Sequence, residues 1–207
     1  MNRKWLLAWL ICFVSIVGTS SSAQTPNTQR GKTHKEPHFV GKGSWAGVDF
    51  ANFTYRKTCL GENVRVVNAH ASRGGGPDTR TLYVTGVQYG DITGDGRDDA
   101  VVLALCEWSG AANPGAYPKD IYIYEIVRGQ PTFVTEFKEP PSNPGDLPRG
   151  IWEADLVGFK VANGTLSVEH FAGEARCCPT LYVTRTYRWV GSSWSQVAVK
   201  TRPYESR

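Results

Sequence analysis

The chain has 207 residues, 41% of them hydrophobic and 20% charged, with 22 Gly, 12 Pro, five Cys and a formal net charge of +4. That composition excludes a wholly disordered or fibrous protein. Setting aside an N-terminal leader leaves enough chain for one domain with a real core, and too little for two ordinary domains joined by a linker.

Arg3 and Lys4 precede an apolar run from Trp5 to Val17, broken only by Ser15, and small residues follow from Gly18 to Ala23. This order of charged, apolar and small residues predicts a secretory signal peptide over residues 1–23, cleaved after Ala23. The apolar run falls short of the roughly 20 residues that span a bilayer, and no other stretch approaches that length, so no membrane span is expected after cleavage. Residues 24–44 are polar, bear Pro and Gly and lack apolar periodicity, which predicts a flexible basic linker. Residues 45–207 are expected to form a single β-rich domain.

The basic balance is confined to the N-terminus. Up to Lys42 the chain holds six Lys or Arg against one acid, whereas Gly43 to Arg207 holds 17 basic and 18 acidic residues. The body therefore lacks, in sequence, the clustered Lys/Arg footprint of a nucleic-acid binder, and nucleic acid is not an expected partner.

From Trp45 onward short β-rich runs alternate with turn residues, and no long window carries the 3.6-residue helical period. Strands are predicted at Val48 to Tyr55, Asn63 to Asn68, Thr81 to Tyr89, Ala100 to Cys106, Asp120 to Val127, Thr132 to Phe137, Leu156 to Ala162, Thr165 to Phe171, Leu181 to Trp189 and Trp194 to Lys200. Tight connections at Arg128-Gly129-Gln130, Asn163-Gly164 and Gly191-Ser192-Ser193 predict hairpins, the Asn-Gly pair most strongly because a type I′ turn needs positive φ at both central residues. The fold class expected is mostly β: one antiparallel, meander or sandwich-like domain of about ten strands, stapled by disulfides. Alternation in the Asp120 to Val127 run places Tyr122 and Tyr124 on one face and Ile121 and Ile123 on the other, and the aromatic face is the expected core. Ser72 to Asp78, Ser109 to Pro118 and Lys138 to Gly150 read as surface loops.

One motif carries a mechanism. Between two predicted strands the run Asp91-Ile92-Thr93-Gly94-Asp95-Gly96-Arg97-Asp98-Asp99 sets acids at positions 1, 5 and 9, a hydroxyl at 3 and glycines at 4 and 6. Calcium takes six to eight oxygens, and a tightly wound loop offers them at alternate positions where glycine permits the sharp turn. The predicted ligands are Asp91, Thr93, Asp95, the backbone carbonyl of Arg97, and Asp99. Position 12 is Val102 where an EF-hand has its bidentate Glu, and strands flank the loop where an EF-hand has helices. The pattern resembles the calcium loop of FG-GAP and VCBS-type repeats, and that resemblance implies a structural Ca2+ bridging the flanking strands. The family carries several copies as propeller blades; this chain has one, so a propeller is not expected. With Val48 to Tyr55 near its start, this loop in the middle and Arg176-Cys177-Cys178-Pro179 near its end, the chain as a whole resembles a group of uncharacterised exported bacterial proteins, which supplies no activity.

Four cysteines follow the leader: Cys59, Cys106, Cys177 and Cys178. An even count in an exported chain predicts disulfides. Because an adjacent pair bonds to itself only through a strained ring, two bridges are expected from Cys177 and Cys178 to Cys59 and Cys106, in either pairing. A vicinal disulfide and a four-thiolate metal site are the alternatives.

Catalytic constellations are sparse. His34 and His38 flank Pro37 in the linker, His70 and His170 are isolated in sequence, and neither H-E-x-x-H nor G-x-S-x-G occurs. Glu107, Asp120, Glu153, Asp155 and Glu169 could supply paired carboxylates of the glycosidase kind, but any β domain offers such pairs. Trp108 and Trp152, beside the Pro-rich loops, are the candidate ligand-surface aromatics. The expected function is a binding or structural module of the cell envelope or extracellular space, periplasmic or secreted, meeting a glycan or a protein. A small secreted hydrolase of envelope polymers and an accessory subunit recognising a protein partner are the alternatives.

Overall fold

A computed structural model describes residues 43–110, 119–140, 145–147, 149–174 and 178–205. Eleven strands are present among them, and every strand pairing is antiparallel. The mostly β, antiparallel architecture expected from the sequence is therefore the one adopted.

β3 (His70–Arg73), β4 (Arg80–Gly90), β5 (Asp99–Trp108), β6 (Lys119–Val127) and β7 (Gln130–Phe137) form a five-stranded meander. β8 (Trp152–Ala162), β9 (Thr165–Gly173), β10 (Leu181–Val190) and β11 (Ser193–Pro203) form a second meander of four strands. A two-stranded ribbon of β1 (Thr54–Tyr55) and β2 (Val64–Arg65) completes the set. The predicted hairpins form. Arg128 and Gly129 adopt φ of 53° and 77°, and Asn163 and Gly164 of 52° and 68°, the positive pair that a type I′ turn demands.

The five-stranded sheet is buried on both faces. Val101, Leu103, Ile121 and Ile123 pack with Leu166, Val168 and Tyr187 of the four-stranded sheet. On the opposite face Val102, Tyr122 and Tyr124 pack against Trp45, Phe50 and Tyr55 of the N-terminal segment. The expectation of a single core face on β6 is therefore corrected, since Ile121 and Ile123 are as buried as the tyrosines. The physical reason is the extra layer over the aromatic side. β5 shows this in its own sequence, an unbroken apolar run from Ala100 to Cys106, as expected of a strand covered on both sides.

Two further corrections concern that N-terminal layer. Val48 to Tyr55 is not one strand. Asp49 accepts hydrogen bonds from the Ala51 amide at 2.9 Å and from the Asn52 side chain at 2.7 Å, which winds Phe50–Asn52 into a 3-10 turn and leaves only Thr54–Tyr55 as paired strand. Asn63 to Asn68 shrinks to Val64–Arg65 because Asn63, Asn68 and Ala69 take positive φ, and β3 lies within residues read as flank and loop. The turn still serves the core, since Phe50 and Tyr55 are fully buried and the Tyr55 hydroxyl donates to the Phe50 carbonyl at 2.7 Å.

Cys59 is bonded to Cys106, closing 47 residues of chain and fastening the N-terminal layer to β5. This replaces the expected pairing of each with Cys177 or Cys178. Contiguity on the covered face of the central sheet, which sequence spacing does not reveal, selects the partner. Cys178 is exposed, and Cys177 lies outside the described residues. Among the described residues no helix is long and apolar enough to cross a membrane.

Candidate functional site

The Asp/Gly loop joins β4 to β5 at one end of the central sheet and brings all five predicted ligand residues into one turn of chain. Asp91 organises it. Its Oδ1 accepts from the amides of Gly94 at 2.7 Å and Asp95 at 3.1 Å, and its Oδ2 from the amide of Gly96 at 3.0 Å. Those bonds require the chain to fold back on itself, which Gly94 and Gly96 permit at φ of 80° and 82°.

Asp99 closes the loop from below. It is 1% exposed, and its Oδ2 accepts from the amides of Ile92 at 2.8 Å and Thr93 at 2.7 Å, while the Thr93 hydroxyl donates to Oδ1 at 3.3 Å. Burial raises the Asp99 carboxyl above its ordinary range, and the Thr93 and Ile92 amides oppose that rise. Asp95 faces outward and is held by Arg97, whose amide and Nε both donate to it at 2.9 Å. That hydrogen bonding, with the guanidinium charge, holds the Asp95 carboxyl below the usual carboxylate range. Arg97 also donates from Nη1 to the Ile126 carbonyl at 3.0 Å, tying the loop to β6. The buried Trp45 indole donates to the Asp98 carbonyl at 2.8 Å, so the N-terminal layer also grips the loop.

The donor set of three carboxylates, one hydroxyl and one backbone carbonyl is all hard oxygen and suits calcium by its chemistry. The Asp91 and Asp99 oxygens are engaged mainly by backbone amides; Asp91 Oδ1 and Asp99 Oδ2 each accept two, which leaves lone-pair capacity for a cation on Asp91 Oδ2 and Asp99 Oδ1. Asp95 is the exception in kind, because Arg97 occupies it with a charged fork. Among the described residues no three His, Cys, Asp or Glu side chains converge as a ready metal cage. Any cation entering this loop would have to compete with Arg97 for Asp95.

A groove of about 710 Å3 runs beside the loop, between Tyr89 to Gly94, the β8–β9 hairpin at Val161 to Gly164, and the end of β10. Its walls combine Trp189 with Asp91, Thr93, Asp98, Asn163 and Arg188. The seam is tightly built. The Gln88 amide donates to the Phe159 carbonyl at 2.7 Å and accepts from the Val161 amide at 2.9 Å, acting as a rung between the two sheets.

Of the candidate aromatics, Trp108 ends β5 at the opposite end from the loop, 44% exposed, with the Arg80 guanidinium 5.4 Å from its ring centroid. Trp152 opens β8, and its side chain lies outside the described residues. The carboxylates singled out from sequence disperse. Glu153 meets Arg185 at 2.8 Å, Asp120 accepts from the Tyr122 hydroxyl at 3.1 Å, and Glu169 pairs with Arg202 at 3.0 Å. Asp155 is described in its backbone alone. His34 and His38 lie outside the described residues.

Sequence reasoning missed a buried ionic network between the sheets. Arg185 on β10 is wholly buried and is met by Asp146, by Glu153 and by the Gln196 side chain at 3.0 Å. Glu139 accepts from the Tyr187 hydroxyl at 2.6 Å and faces His170 at 3.0 Å, so His170 is not isolated in the fold. Burial alone would raise the Glu139 carboxyl, but the bond and charge of His170, with Tyr187 and Arg185, outweigh it and hold the carboxyl below its ordinary range. The one available signal was Arg185 itself, at an inward position of an alternating strand where an apolar side chain is the norm.

No protein-family model, curated protein or solved structure matches the chain.

Proposed function

We propose that the protein is an exported binding module of the cell envelope or extracellular space, whose β4–β5 loop holds a structural calcium ion. Asp91, Thr93, Asp95, the Arg97 carbonyl and Asp99 would supply the oxygens, and the bound ion would fix the wall of the groove beside Trp189. The observation that carries this reading is the winding of the loop around Asp91, with three successive amides turned onto one carboxylate and left-handed glycines at 94 and 96. Four acids lie within nine residues, and a cation relieves a repulsion that Arg97 neutralises only in part. The Cys59–Cys106 disulfide and the lack of a membrane-crossing helix among the described residues are compatible with export into an oxidising compartment.

Calorimetric titration of chelator-stripped protein with CaCl2 tests the reading. One binding event with a dissociation constant of ~0.1 to 1 mM, the range of extracellular modules, is expected, with Asp95→Ala abolishing it. Absence of calcium heat, or an unaltered isotherm in Asp95→Ala, would contradict it.

A further inference from the structure

The outer face of the four-stranded sheet concentrates charge that the sequence hides. Strand register places Lys160 beside Ser167, Thr184 between Glu169 and Lys200, Tyr182 beside Arg202, and Arg188 beside Ser195. These positions alternate with the buried Leu166, Val168, Val183 and Tyr187, so they share the face turned away from the core. Among the described side chains the face thus carries four cations, Lys160, Arg188, Lys200 and Arg202, against Glu169, which pairs with Arg202 at 3.0 Å, and Glu205, which borders Tyr182 and Arg202 at one end. The body as a whole is balanced, with 17 basic and 18 acidic residues from Gly43 to Arg207. The cations sit on β8, β10 and β11, which is why no cluster is visible along the chain.

The face also has a shape. Gly158 on β8 leaves a depression of about 370 Å3 bordered by Lys160, Ser167, Glu169 and Thr184. A Cβ built on Gly158 would meet nothing within 4 Å, so the missing side chain leaves open space and not a packing contact. Ser167 and Thr184 line the depression with hydroxyls, and Ser167 is hydrogen-bonded to the neighbouring Thr186 at 2.9 Å. At one end Tyr182 packs with Phe171 and Tyr204, and the Arg202 guanidinium lies 3.6 Å from the Tyr182 ring centroid.

We infer that this face binds an acidic polysaccharide of the uronate type. Spaced cations match carboxylates recurring along a sugar chain, the lining hydroxyls match sugar hydroxyls, and the trough admits a ring edge. Glu169, in the middle of the face, opposes the dense phosphates of a nucleic acid but can accept hydrogen bonds from sugar hydroxyls. The inference rests on reading the protein as a binding module; none of the loop residues lies on this face, which meets the loop's groove at Arg188.

The test is affinity electrophoresis and calorimetry of the purified protein in EGTA, with oligomeric alginate as probe and neutral dextran and duplex DNA as comparisons. Alginate binding that weakens steeply with NaCl, with none to dextran and far less to DNA, is expected. Lys160→Glu combined with Lys200→Glu should weaken alginate binding about tenfold or more. Gly158→Leu should weaken it at an unchanged unfolding midpoint, which separates a filled trough from a damaged fold. Failure to bind alginate, equal binding of DNA, or unchanged affinity in both variants would overturn the inference. Because the assays contain EGTA, none of these outcomes bears on calcium at the loop.

Discussion

Gly90 and Val161 touch across the seam between the two sheets so closely that a Cβ on Gly90 would lie 2.6 Å from Val161 Cγ1. Gly90 is the last residue of β4 before the Asp/Gly loop, and Val161 lies one residue from the end of β8. The contact thus sets how near the loop sits to the β8–β9 hairpin and hence the width of the groove. Gly90→Ala should destabilise the fold by about 1 to 3 kcal/mol through overpacking, lowering the thermal midpoint by several degrees. Adding Val161→Ala should recover most of that loss, a coupling readable in a double-mutant cycle. Additive losses in the two single variants would show that the contact does not set the seam.

Arg97 should act as the loop's internal competitor for a cation. Its guanidinium is bound to Asp95 and its Nη1 to the Ile126 carbonyl, both at the protein surface. Arg97→Gln frees the Asp95 carboxylate without removing a backbone donor. The predicted outcome is calcium affinity raised several-fold over wild type by calorimetry, with little change in stability in chelator. Equal or weaker affinity would mean that Arg97 supports the metal-binding form of the loop.

Much of the fold was legible in the sequence because local chemistry determined it. Asn163-Gly164 takes the positive φ pair that its residues favour, and β8 to β11 follow as a meander. The apolar run from Ala100 to Cys106 was legible as a strand, but its coverage on both faces was not read from it. The N-terminal layer was misread because Val48 to Tyr55 has the composition of a strand, while the short side chain of Asp49 captures the Ala51 amide and turns the chain. The Asp91 to Asp99 loop was legible as a contiguous motif. The Arg185 network was not, since Glu139, Asp146, Glu153, His170 and Gln196 are separated in sequence and meet only when β8 to β11 and the segment before β8 close together. The cationic outer face was hidden for the same reason.

The pairing of Cys59 with Cys106 predicts a specific peptide map. Digestion without reduction should yield one linked species joining the Cys59 and Cys106 peptides, and neither residue should take up an alkylating agent before reduction. Replacing both by serine should cost roughly 2 to 4 kcal/mol, the usual range for a native bridge. Linkage of either residue to Cys177 or Cys178 would refute this pairing.

Acid stability should divide between two groups of carboxylates. Glu139 is held below its ordinary value by His170, Tyr187 and Arg185, so it stabilises the native state above its unfolded value, and that contribution is lost as pH falls through the depressed one. Glu136 has the opposite sign. Burial, reinforced by the nearby Asp120, raises its carboxyl, so stability declines as pH rises from the unfolded value through the raised one, and a penalty persists at neutral pH. Glu139→Gln should therefore lower the midpoint at pH 7 and flatten the acid limb. Glu136→Gln should raise the midpoint at pH 7 and leave it unchanged at pH 3. Denaturation scans of both variants from pH 3 to pH 8 check the signs, and parallel curves for wild type and either variant would contradict the corresponding assignment.

The central claim, a structural calcium ion in the Asp91 to Asp99 loop, is tested most directly by thermal unfolding of the protein in several millimolar calcium and in excess EGTA. A ligand bound only by the native state must raise the midpoint, and at ten or more times the dissociation constant it contributes about 1.4 kcal/mol or more. A rise of a few degrees in calcium is predicted for wild type and none for Asp95→Ala. Identical midpoints in calcium and EGTA for wild type would contradict the account and reduce the loop to a turn held by Asp91 and Arg97 alone.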